Sequence, residues 1–381
     1  MKKKVLLVFG TRPEAIKMVS LVKEFDNHKD SFEMNVCVTA QHREMLDDVL
    51  KLFDIKPDFD LDVMEHGQDL YDVTSKILLR IKPVFEEFEP DLVLVHGDTT
   101  TTLATSLAAF YKKIPVGHVE AGLRTGDIYS PWPEEANRTL TTKITKYHFA
   151  PTTDNKQFLL KEGVPEDKIE ITGNTVIDSL FEAINRIENV EGIKEELITD
   201  ISNKGYIFSD RKIVLITGHR RENFGDGFLN MCNGIKTLAE QNPEVDFVYP
   251  THLNPNVQKP VKEILSDISN VYLIDPLEYF SFVLMLNNCY LVLTDSGGIQ
   301  EEAPSIGKPV LVMRDTTERQ EAVKSGTVKL VGANTDVIIK EVNNLLNNKE
   351  DYDMMSKNTN PYGTGNSCEK IIKYIKKELN V

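Results

Sequence analysis

Short apolar runs rich in β-branched residues alternate with longer amphipathic stretches along most of the chain. The first half contains KVLLVFG, MNVCVTA, DLVLVHGD and IPVGHVEA, with helical patterns near 13–26, 42–53 and 101–112 between them. A second series, RKIVLITG, VDFVYPT, VYLIDP, CYLVLTD and KPVLVM, follows Gly173. Such alternation is typical of a parallel sheet with helices on both faces. The sequence therefore predicts an α/β protein with two doubly wound units.

Length, charge and cysteine content limit the classes of function. The 381 residues, 41% of them hydrophobic, are enough for two domains. The 59 acidic residues outnumber the 44 Lys and Arg residues, and the formal charge of -15 repels a nucleic-acid backbone, so we expect no nucleic-acid partner. Four scattered cysteines without a C-x-x-C pair indicate reduced thiols. No apolar run approaches the roughly 20 residues that span a bilayer, so we expect a cytoplasmic protein with no membrane partner.

Polar residues that directly follow the predicted strands are the candidates for a site, because ligands of open parallel sheets bind beyond the carboxyl ends of the strands. In GTRPEAIK, Arg12 and Lys17 flank the start of the first predicted helix, where free N–H groups favour an anion. A solvated arginine and a helix-surface lysine explain the same pattern equally well. Asp98 ends the strand in HGDTTT, and it is either the N-cap of the next helix or a functional carboxylate.

Three more acidic residues follow in the same half of the chain. Glu120 ends the strand in HVEAGLRTG, with Gly122 behind it for a tight turn, and a carboxylate there is rarely needed for packing. Glu134 and Glu135 lie in SPWPEEANR, whose two prolines and single tryptophan, Trp132, indicate an ordered loop. The alternative for this pair is the first turn of an ordinary helix, where Pro and Glu are common.

In the second half, the strand VLITG ends in HRREN. This places His219 beside Arg220 and Arg221 at a strand end. A lone histidine is more often structural than catalytic. The strand-end position and the two arginines favour an anionic ligand here.

The strand LVLTD runs into SGGIQEEA, a second possible anion site. Ser296, Gly297 and Gly298 can present backbone N–H groups to a diphosphate at a helix N-terminus, although glycines after a strand also serve as simple turn residues. Glu302 lies one turn further on, where it could reach a ribose. Arg319, in RDTTERQEA, is a second cationic candidate.

The chain lacks the motifs of the common metal and nicotinamide sites. The first strand is followed by GTRPEA in place of G-x-G-x-x-G, which argues against a dinucleotide cofactor. Neither H-E-x-x-H nor a Walker lysine motif is present. We therefore expect no cofactor and no metal, with the charge of a diphosphate met by Arg, Lys and helix termini.

Ten segments, taken in chain order, carry a resemblance to a known family. They are FGTRPEAIKM, TAQHREML, HGDTTTTLA, HVEAGLRTG, PWPEEANR, TGNTVID, TGHRREN, YPTHLNPNV, TDSGGIQEEAPSIGKPVLVMRDTTER and NPYG. The chain closely resembles the bacterial non-hydrolysing UDP-N-acetylglucosamine 2-epimerases. The resemblance implies a GT-B-like fold, with two Rossmann-like doubly wound parallel-sheet domains and the active site in the cleft between them. It implies an N-terminal domain at 1–172 plus 366–381 and a UDP-binding domain at 173–365.

The resemblance also implies a reaction and a set of site residues. The reaction is reversible epimerisation of UDP-GlcNAc to UDP-ManNAc at carbon 2, by anti elimination of UDP to 2-acetamidoglucal and re-addition. The catalytic matches are Asp98, Glu120, Glu134 and His219. The substrate-binding matches are Arg12, Lys17, Phe282, Ser296, Gly297, Gly298, Glu302 and Arg319, with Phe282 beside the uracil, just before a helical stretch. An activating second UDP-GlcNAc is implied near Gln41, His42 and Arg221, and a homodimer that supplies ManNAc for cell-surface polysaccharide is the family expectation.

Departures from the family pattern leave the exact UDP-2-acetamido sugar open. Gln320 stands in TTERQE where proline is expected, and Thr364 and Cys368 stand where Asp and Ala are commoner. Rival functions are a GT-B glycosyltransferase, a hydrolysing UDP-GlcNAc 2-epimerase that releases free ManNAc, and a non-catalytic sugar-nucleotide sensor. Three carboxylates in the first domain are more acid–base groups than glycosyl transfer usually needs.

Overall fold

The chain forms two compact α/β units, which confirms the expectation of two doubly wound parallel sheets. The structure is a computed structural model that describes residues 2–41, 43–65, 67–218 and 225–381. Unit 1 comprises Met1–Ser179 and Tyr362–Val381, and unit 2 comprises Leu180–Pro361. These divisions lie a few residues from the predicted domain limits.

Unit 1 contains a seven-stranded parallel sheet in the order β3-β2-β1-β4-β5-β6-β7. Its strands are β1 (Lys3–Phe9), β2 (Phe32–Val38), β3 (Phe59–Asp60), β4 (Leu92–His96), β5 (Val116–Val119), β6 (Tyr147–Ala150) and β7 (Ile169–Ile171). Val5 to Phe9 of the central strand β1 are all buried, because helices cover both faces of the sheet. This is why the sequence of β1 is continuously apolar.

The helices of unit 1 follow its strands along the chain, apart from the last. They are α1 (Arg12–Asp26), α2 (Arg43–Leu52), α3 (Leu70–Phe88), α4 (Thr100–Tyr111), α5 (Glu134–Ile144), α6 (Thr153–Lys161), the start of α7 (Thr175–Asn189), and α16 (Ser367–Leu379). Helix α16 returns from the end of the chain to pack on α1. The Tyr374 hydroxyl donates to Asp167 O at 2.7 Å, and the N–H groups of Ser367 and Cys368 donate to the Asp178 carboxylate. These contacts fix the last helix to unit 1.

Unit 2 contains a six-stranded parallel sheet in the order β10-β9-β8-β11-β12-β13. Its strands are β8 (Lys212–Thr217), β9 (Val245–Pro250), β10 (Val271–Ile274), β11 (Leu291–Thr294), β12 (Val310–Val312) and β13 (Val328–Leu330). Its helices are α8 (Ile193–Asn203), α9 (Asp226–Gln241), α10 (Pro255–Leu265), α11 (Tyr279–Asn288), α12 (Ile299–Ser305), α13 (Gln320–Lys324), α14 (Thr335–Asn347) and α15 (Lys349–Lys357). One hydrophobic core joins β8, β9 and β11 to α9, α10 and α14.

The two sheets share one strand order over six strands, and this order determines where sites form. In each sheet the order in which successive strands are added reverses beside the first strand, between β1 and β4 in unit 1 and between β8 and β11 in unit 2. Ligands of such sheets bind beyond the carboxyl ends of the strands at this reversal. The candidate residues follow these strands. Within the described ranges, no helix combines the length and the apolar character needed to cross a membrane.

Candidate active site

The turn that follows β4 is held by backbone hydrogen bonds at its glycine and its aspartate. Gly97 has a φ of +68°, which a glycine adopts without strain, and its N–H donates to Val119 O at 2.9 Å. The His118 ring nitrogen Nε2 lies 2.6 Å from Gly97 O, and Asn137 Nδ2 donates to Asp98 O at 2.9 Å. The backbone that carries the Asp98 side chain is therefore fixed from two neighbouring elements.

The Asp98 carboxylate faces a cation and does not cap a helix. Its Oδ2 accepts a hydrogen bond from Arg138 Nη2. The N-cap of α4 is Thr99, whose side chain accepts from Thr102 N, so the interpretation of Asp98 as an N-cap is wrong. Burial raises the pKa of Asp98, Arg138 opposes this shift, and the nearby Glu120 adds to it. A carboxyl group with a raised pKa can both accept and return a proton near neutral pH.

Glu120 lies at the end of β5, beside the strand that carries Asp98. Its φ of +63° is uncommon for a residue with a side chain, and it turns the chain directly after the strand. Its Oε2 pairs with Lys17 Nζ, accepts from Asn174 Nδ2 at 2.7 Å and lies 3.9 Å from His96 Nε2. Lys17 comes from α1, where Arg12 is the first residue and is half-buried. Three elements thus converge on one carboxylate.

Glu134 and Glu135 lie in the first turn of α5, so the prediction that they belong to a loop is wrong and the alternative helical interpretation is confirmed. Glu135 accepts from the N–H groups of Thr125 and Gly126 at 3.2 and 3.1 Å, and its Oε2 lies 3.1 Å from Arg138 Nη1. Within the described part of the chain, the buried Oε2 atom of Glu134 has no hydrogen-bond partner. Glu135 is thus used by the fold, whereas Glu134 keeps capacity to bind a ligand.

In unit 2, the segment after β11 forms a turn stabilised by hydroxyl and amide groups. Ser296 N donates to Thr294 Oγ1 at 2.9 Å, and Gln300 Nε2 donates to Ser296 O at 3.0 Å. Gly297 lies inside the turn, and Gly298 is the N-cap of α12 without a side-chain cap. The predicted position of the glycines at the start of a helix is confirmed.

The other predicted residues of unit 2 lie on neighbouring helices. Glu302 is buried in α12, where its Oε1 accepts from the Tyr279 hydroxyl at 3.2 Å. Arg319 Nε donates to Glu301 Oε1 at 2.6 Å just before α13. Phe282 is the fourth residue of α11, so the prediction that it precedes a helix is wrong. A buried carboxylate and a paired arginine thus both follow the serine–glycine turn along the chain.

Comparison with known proteins identifies the family. The sequence profile of the family described as UDP-N-acetylglucosamine 2-epimerase matches residues 23–376. The chain belongs to the UDP-N-acetylglucosamine 2-epimerase family. This confirms the resemblance carried by the ten sequence segments.

Relatives within this epimerase family match the chain along its whole length. The UDP-N-acetylglucosamine 2-epimerase of Yersinia pestis is 58% identical, over 98% of this chain and 98% of its own. The enzyme of the same name from Campylobacter jejuni is 56% identical, over 100% of this chain and 99% of its own. The crystal structure of the UDP-GlcNAc 2-epimerase of Neisseria meningitidis bound to UDP-GlcNAc is 53% identical, covers 98% of this chain and 100% of its own, and superposes with a TM-score of 0.88.

Three residues assigned from the epimerase resemblance lie outside the described residues. They are His219, Arg221 and His42. Gln41 is described, and its Oε1 accepts from Thr101 Oγ1 at 3.3 Å. Among the described residues, no group of three or more His, Cys, Asp or Glu side chains is arranged to hold a metal ion.

Sequence reasoning missed two partners of the carboxylates, Arg138 and Asn174. Arg138 lies one helical turn after Glu134, a spacing that places both on one face of α5. Asn174 precedes α7 in TGNTVID, one of the ten segments that carry the epimerase resemblance. The helical spacing is a signal that could have found Arg138. No local pattern indicates that Asn174 reaches Glu120.

Proposed function

We propose that the chain interconverts UDP-GlcNAc and UDP-ManNAc reversibly and without releasing the free sugar. UDP leaves carbon 1 while the proton on carbon 2 is removed, which gives 2-acetamidoglucal. UDP then adds back to carbon 1 as a proton returns to carbon 2 on the opposite face. The Neisseria meningitidis relative, solved with UDP-GlcNAc bound, supports this choice of nucleotide sugar.

The observation that carries the proposal is the pair of carboxylates at the ends of β4 and β5. The hydrogen on carbon 2 is weakly acidic, so its removal requires a positioned base, and its return to the other face requires a second acid–base group. Asp98 and Glu120 follow the adjacent strands β4 and β5, and each is paired with a cation, Arg138 and Lys17 respectively. The raised pKa of Asp98 suits a group that holds the proton in transit. Glu134 is the third carboxylate of this set.

The cationic and N–H groups of the predicted site serve the leaving diphosphate. Charge develops on the β-phosphate as the bond to carbon 1 breaks, and positioned donors stabilise it. We assign this role to Arg12, Arg319, His219 and the N–H groups of the segment 296–298. Glu302, already an acceptor for Tyr279, binds a ribose hydroxyl, and Phe282 contacts the uracil.

The experiment that tests the proposal is proton NMR of the purified protein with UDP-GlcNAc in deuterated water. We expect UDP-ManNAc with deuterium at carbon 2, no free ManNAc, and the same final ratio from either substrate. Free ManNAc as the main product would instead identify a hydrolysing epimerase. Unchanged UDP-GlcNAc would contradict the proposal and make acceptor-dependent glycosyl transfer the next hypothesis to test.

The family expectations of regulation and assembly belong to the same proposal. We propose a cytoplasmic homodimer that supplies ManNAc for cell-surface polysaccharide and is activated by a second UDP-GlcNAc near Gln41, His42 and Arg221. UDP-ManNAc alone is then converted slowly, and a trace of UDP-GlcNAc accelerates its conversion. Equal initial rates with and without the trace would contradict the activation, and sedimentation equilibrium tests the dimer.

A further inference from the structure

Glu14 in unit 1 is a buried carboxylate to which the sequence assigned no role. Its side chain in α1 is 2% exposed. Its Oε2 accepts from Gly10 N at 3.0 Å, from Thr11 N at 2.8 Å and from Thr11 Oγ1 at 2.8 Å. Its Oε1 accepts from Thr99 Oγ1 at 2.6 Å, and Thr102 Oγ1, whose hydroxyl donates to His96 O, lies 3.3 Å from the same atom. Four donors therefore converge on one carboxylate.

These donors belong to two loops that leave neighbouring strands of the sheet. Gly10 and Thr11 follow β1, whereas Thr99 is the N-cap of α4 after β4. Strands β1 and β4 are paired directly. One glutamate therefore connects the two loops at the point where the strand order reverses, which is where a site is expected.

Threonine hydroxyl groups make a further contact beside these two loops. Thr39 Oγ1 and Thr101 Oγ1 lie 2.9 Å apart. A Cβ atom on Gly10 would lie 1.9 Å from Thr39 Oγ1 and 2.5 Å from Thr101 Oγ1, so the backbone at this position requires glycine. The successive threonines of HGDTTTT are thus used in the packing of these loops rather than exposed on a helix surface.

Each connected loop carries a residue of the proposed chemistry. The loop after β1 leads into α1, from which Lys17 reaches Glu120, and Thr99 directly follows Asp98. We propose that Glu14 is a positioning residue that sets the Asp98 turn against the loop that carries Arg12 and Lys17. This inference rests on the proposed function, because it assigns Asp98 a part in the reaction.

A helix cap alone does not account for this burial. Glu14 is the third residue of a capping box with Thr11, and α3 has an equivalent box formed by Asp69 and Asp72. Asp72 is exposed, and the hydrogen bonds described for its carboxylate stay within its own box. Burial of a carboxylate is unfavourable unless donors compensate it. The bonds to a second loop are what distinguish Glu14 from an ordinary capping residue.

Burial raises the pKa of Glu14, while the hydrogen bonds from Thr99, Thr11 and Gly10 lower it. Two of the four donors are backbone N–H groups, which can only donate. The N-termini of α1 and α4 both favour a negative charge at this point. An ionised carboxylate, which only accepts hydrogen bonds, is therefore complementary to the donors of both loops.

The test separates the reach of the side chain from its capping function. Glu14→Asp keeps the carboxylate for its own capping box but removes one methylene, so that it cannot span both loops. We expect kcat for UDP-GlcNAc to fall about tenfold or more, as a misplaced reacting group would require. The KM and the calorimetric Kd for UDP should change less than threefold, because the loop after β1 keeps its own bonds. Asp72→Asn is the matched control and should leave kcat unchanged.

A second pair of variants changes Thr99, the residue that donates to Glu14 Oε1. Thr99→Val removes the hydroxyl that donates to Glu14 Oε1, and Thr99→Ser restores it. We expect Thr99→Val, which also removes the N-cap of α4, to lower kcat at least as much as Glu14→Asp does, and Thr99→Ser to recover it. Thr99→Val removes both the contact with Glu14 and the N-cap of α4, whereas Glu14→Asp removes only the shared contact. The double variant Glu14→Asp, Thr99→Val should therefore be no slower than Thr99→Val alone.

Several outcomes would overturn the positioning role. One is a kcat for folded Glu14→Asp within twofold of the wild type. Another is a double variant in which the losses of kcat from Glu14→Asp and Thr99→Val multiply fully. A third is a loss of kcat in Asp72→Asn equal to that in Glu14→Asp. Wild-type protein that does not epimerise UDP-GlcNAc would overturn the proposed function and this role with it. An active wild type with an unaffected Glu14→Asp variant would overturn the role of Glu14 alone.

Discussion

The carboxyl edges of the two sheets differ in chemistry although their strands follow the same order. In unit 1 this edge carries the carboxylates Glu14, Asp98 and Glu120, each held by donors or cations. In unit 2 the buried carboxylates Asp295 and Glu302 lie beside hydroxyl, amide and glycine groups instead, and the Oγ1 atoms of Thr217 and Thr294 lie 2.6 Å apart. Carboxylates held by cations at adjacent strand ends suit proton transfer, whereas hydroxyl and glycine N–H groups beside an acceptor carboxylate suit the binding of a phosphate or a polyol. One topology thus provides two kinds of site.

This difference predicts that changes in unit 1 and in unit 2 have different kinetic effects. A group that acts only in the transition state lowers kcat when it is removed, whereas a group that binds the substrate in both states raises KM. Carboxylates of unit 1 should therefore affect kcat, and binding groups of unit 2 should affect KM.

The largest expected effect is the acid sensitivity of unit 1. Burial lowers the pKa of His96 and of His118 to about 4 and that of His148 to about 3. The unfolded chain takes up these protons near pH 6.5. The free energy of unfolding therefore falls as the pH drops from about 6.5 towards 4. At pH 5 the loss is about 2 kcal/mol per histidine.

Hydrogen exchange followed by mass spectrometry at pH 7 and pH 5, corrected for intrinsic rates, checks this prediction. The strands of unit 1 should lose protection first, since these three histidines lie on β4, β5 and β6. In unit 2 the described histidine, His252, is exposed. If β8 to β13 of unit 2 lost protection earlier than the strands of unit 1, or at the same pH, the predicted difference in acid sensitivity would be contradicted.

Glu120→Gln should lower kcat by about 10³-fold, because a positioned acid–base group contributes roughly that much. The amide can still accept a hydrogen bond from Asn174, so the protein should fold and bind UDP with nearly unchanged affinity. Steady-state kinetics and calorimetry measure the two quantities. Glu162→Gln is the matched control, since Glu162 is also a partly buried carboxylate of unit 1, paired with Arg124 at 2.6 Å. A similar loss of kcat in the control would show that any broken ion pair has this effect.

Glu302→Gln should raise KM for UDP-GlcNAc about 10- to 100-fold with little change in kcat, because a hydrogen bond to a charged group contributes about 1.5–3 kcal/mol. Initial rates over a wide range of substrate concentration separate the two constants. Glu341→Gln serves as the control, because Glu341 is another buried carboxylate of unit 2 and pairs with Lys329. A loss confined to kcat in Glu302→Gln would contradict the assignment of unit 2 to binding.

Gln320→Pro should have the smallest effect. Gln320 is the first residue of α13, a position that proline favours, although the substitution removes the bond from Gln320 Nε2 to Thr317 O at 2.6 Å. We expect a change of less than about 1 kcal/mol in the free energy of unfolding, with kcat and KM unaltered. Urea titration and kinetics check both. A large rise in KM would show that this departure from the family pattern affects substrate binding.

The sequence predicted the fold well where strands are buried on both faces. The continuous apolar run of β1 is an example, because burial on both sides leaves no alternation to misinterpret. The short strand β3, two residues at Phe59 and Asp60, carries no such pattern and was not predicted. The first turn of α5 was assigned to a loop because proline-rich segments occur in loops and at helix starts alike.

The site could be predicted only in part. A position at the end of a strand can be read from the local sequence, whereas the partners of a side chain are often distant along the chain. Asp98 and Glu120 were found because they end strands. Asn174 reaches Glu120 across 54 positions of the chain, and Glu14 reaches Thr99 across 85. No local period encodes contacts of this length, so the network that holds the carboxylates became apparent only in three dimensions.

The measurement that tests the central claim most directly is positional isotope exchange. UDP-GlcNAc labelled with ¹⁸O in the bridge between carbon 1 and the β-phosphate is incubated with the protein, and the label is located by phosphorus NMR. Our account predicts that the label moves into the non-bridging positions of the β-phosphate, since UDP leaves and returns through any of three equivalent oxygens. Epimerisation with deuterium uptake at carbon 2 and no movement of the label would contradict it, because the bond to carbon 1 would then have stayed intact.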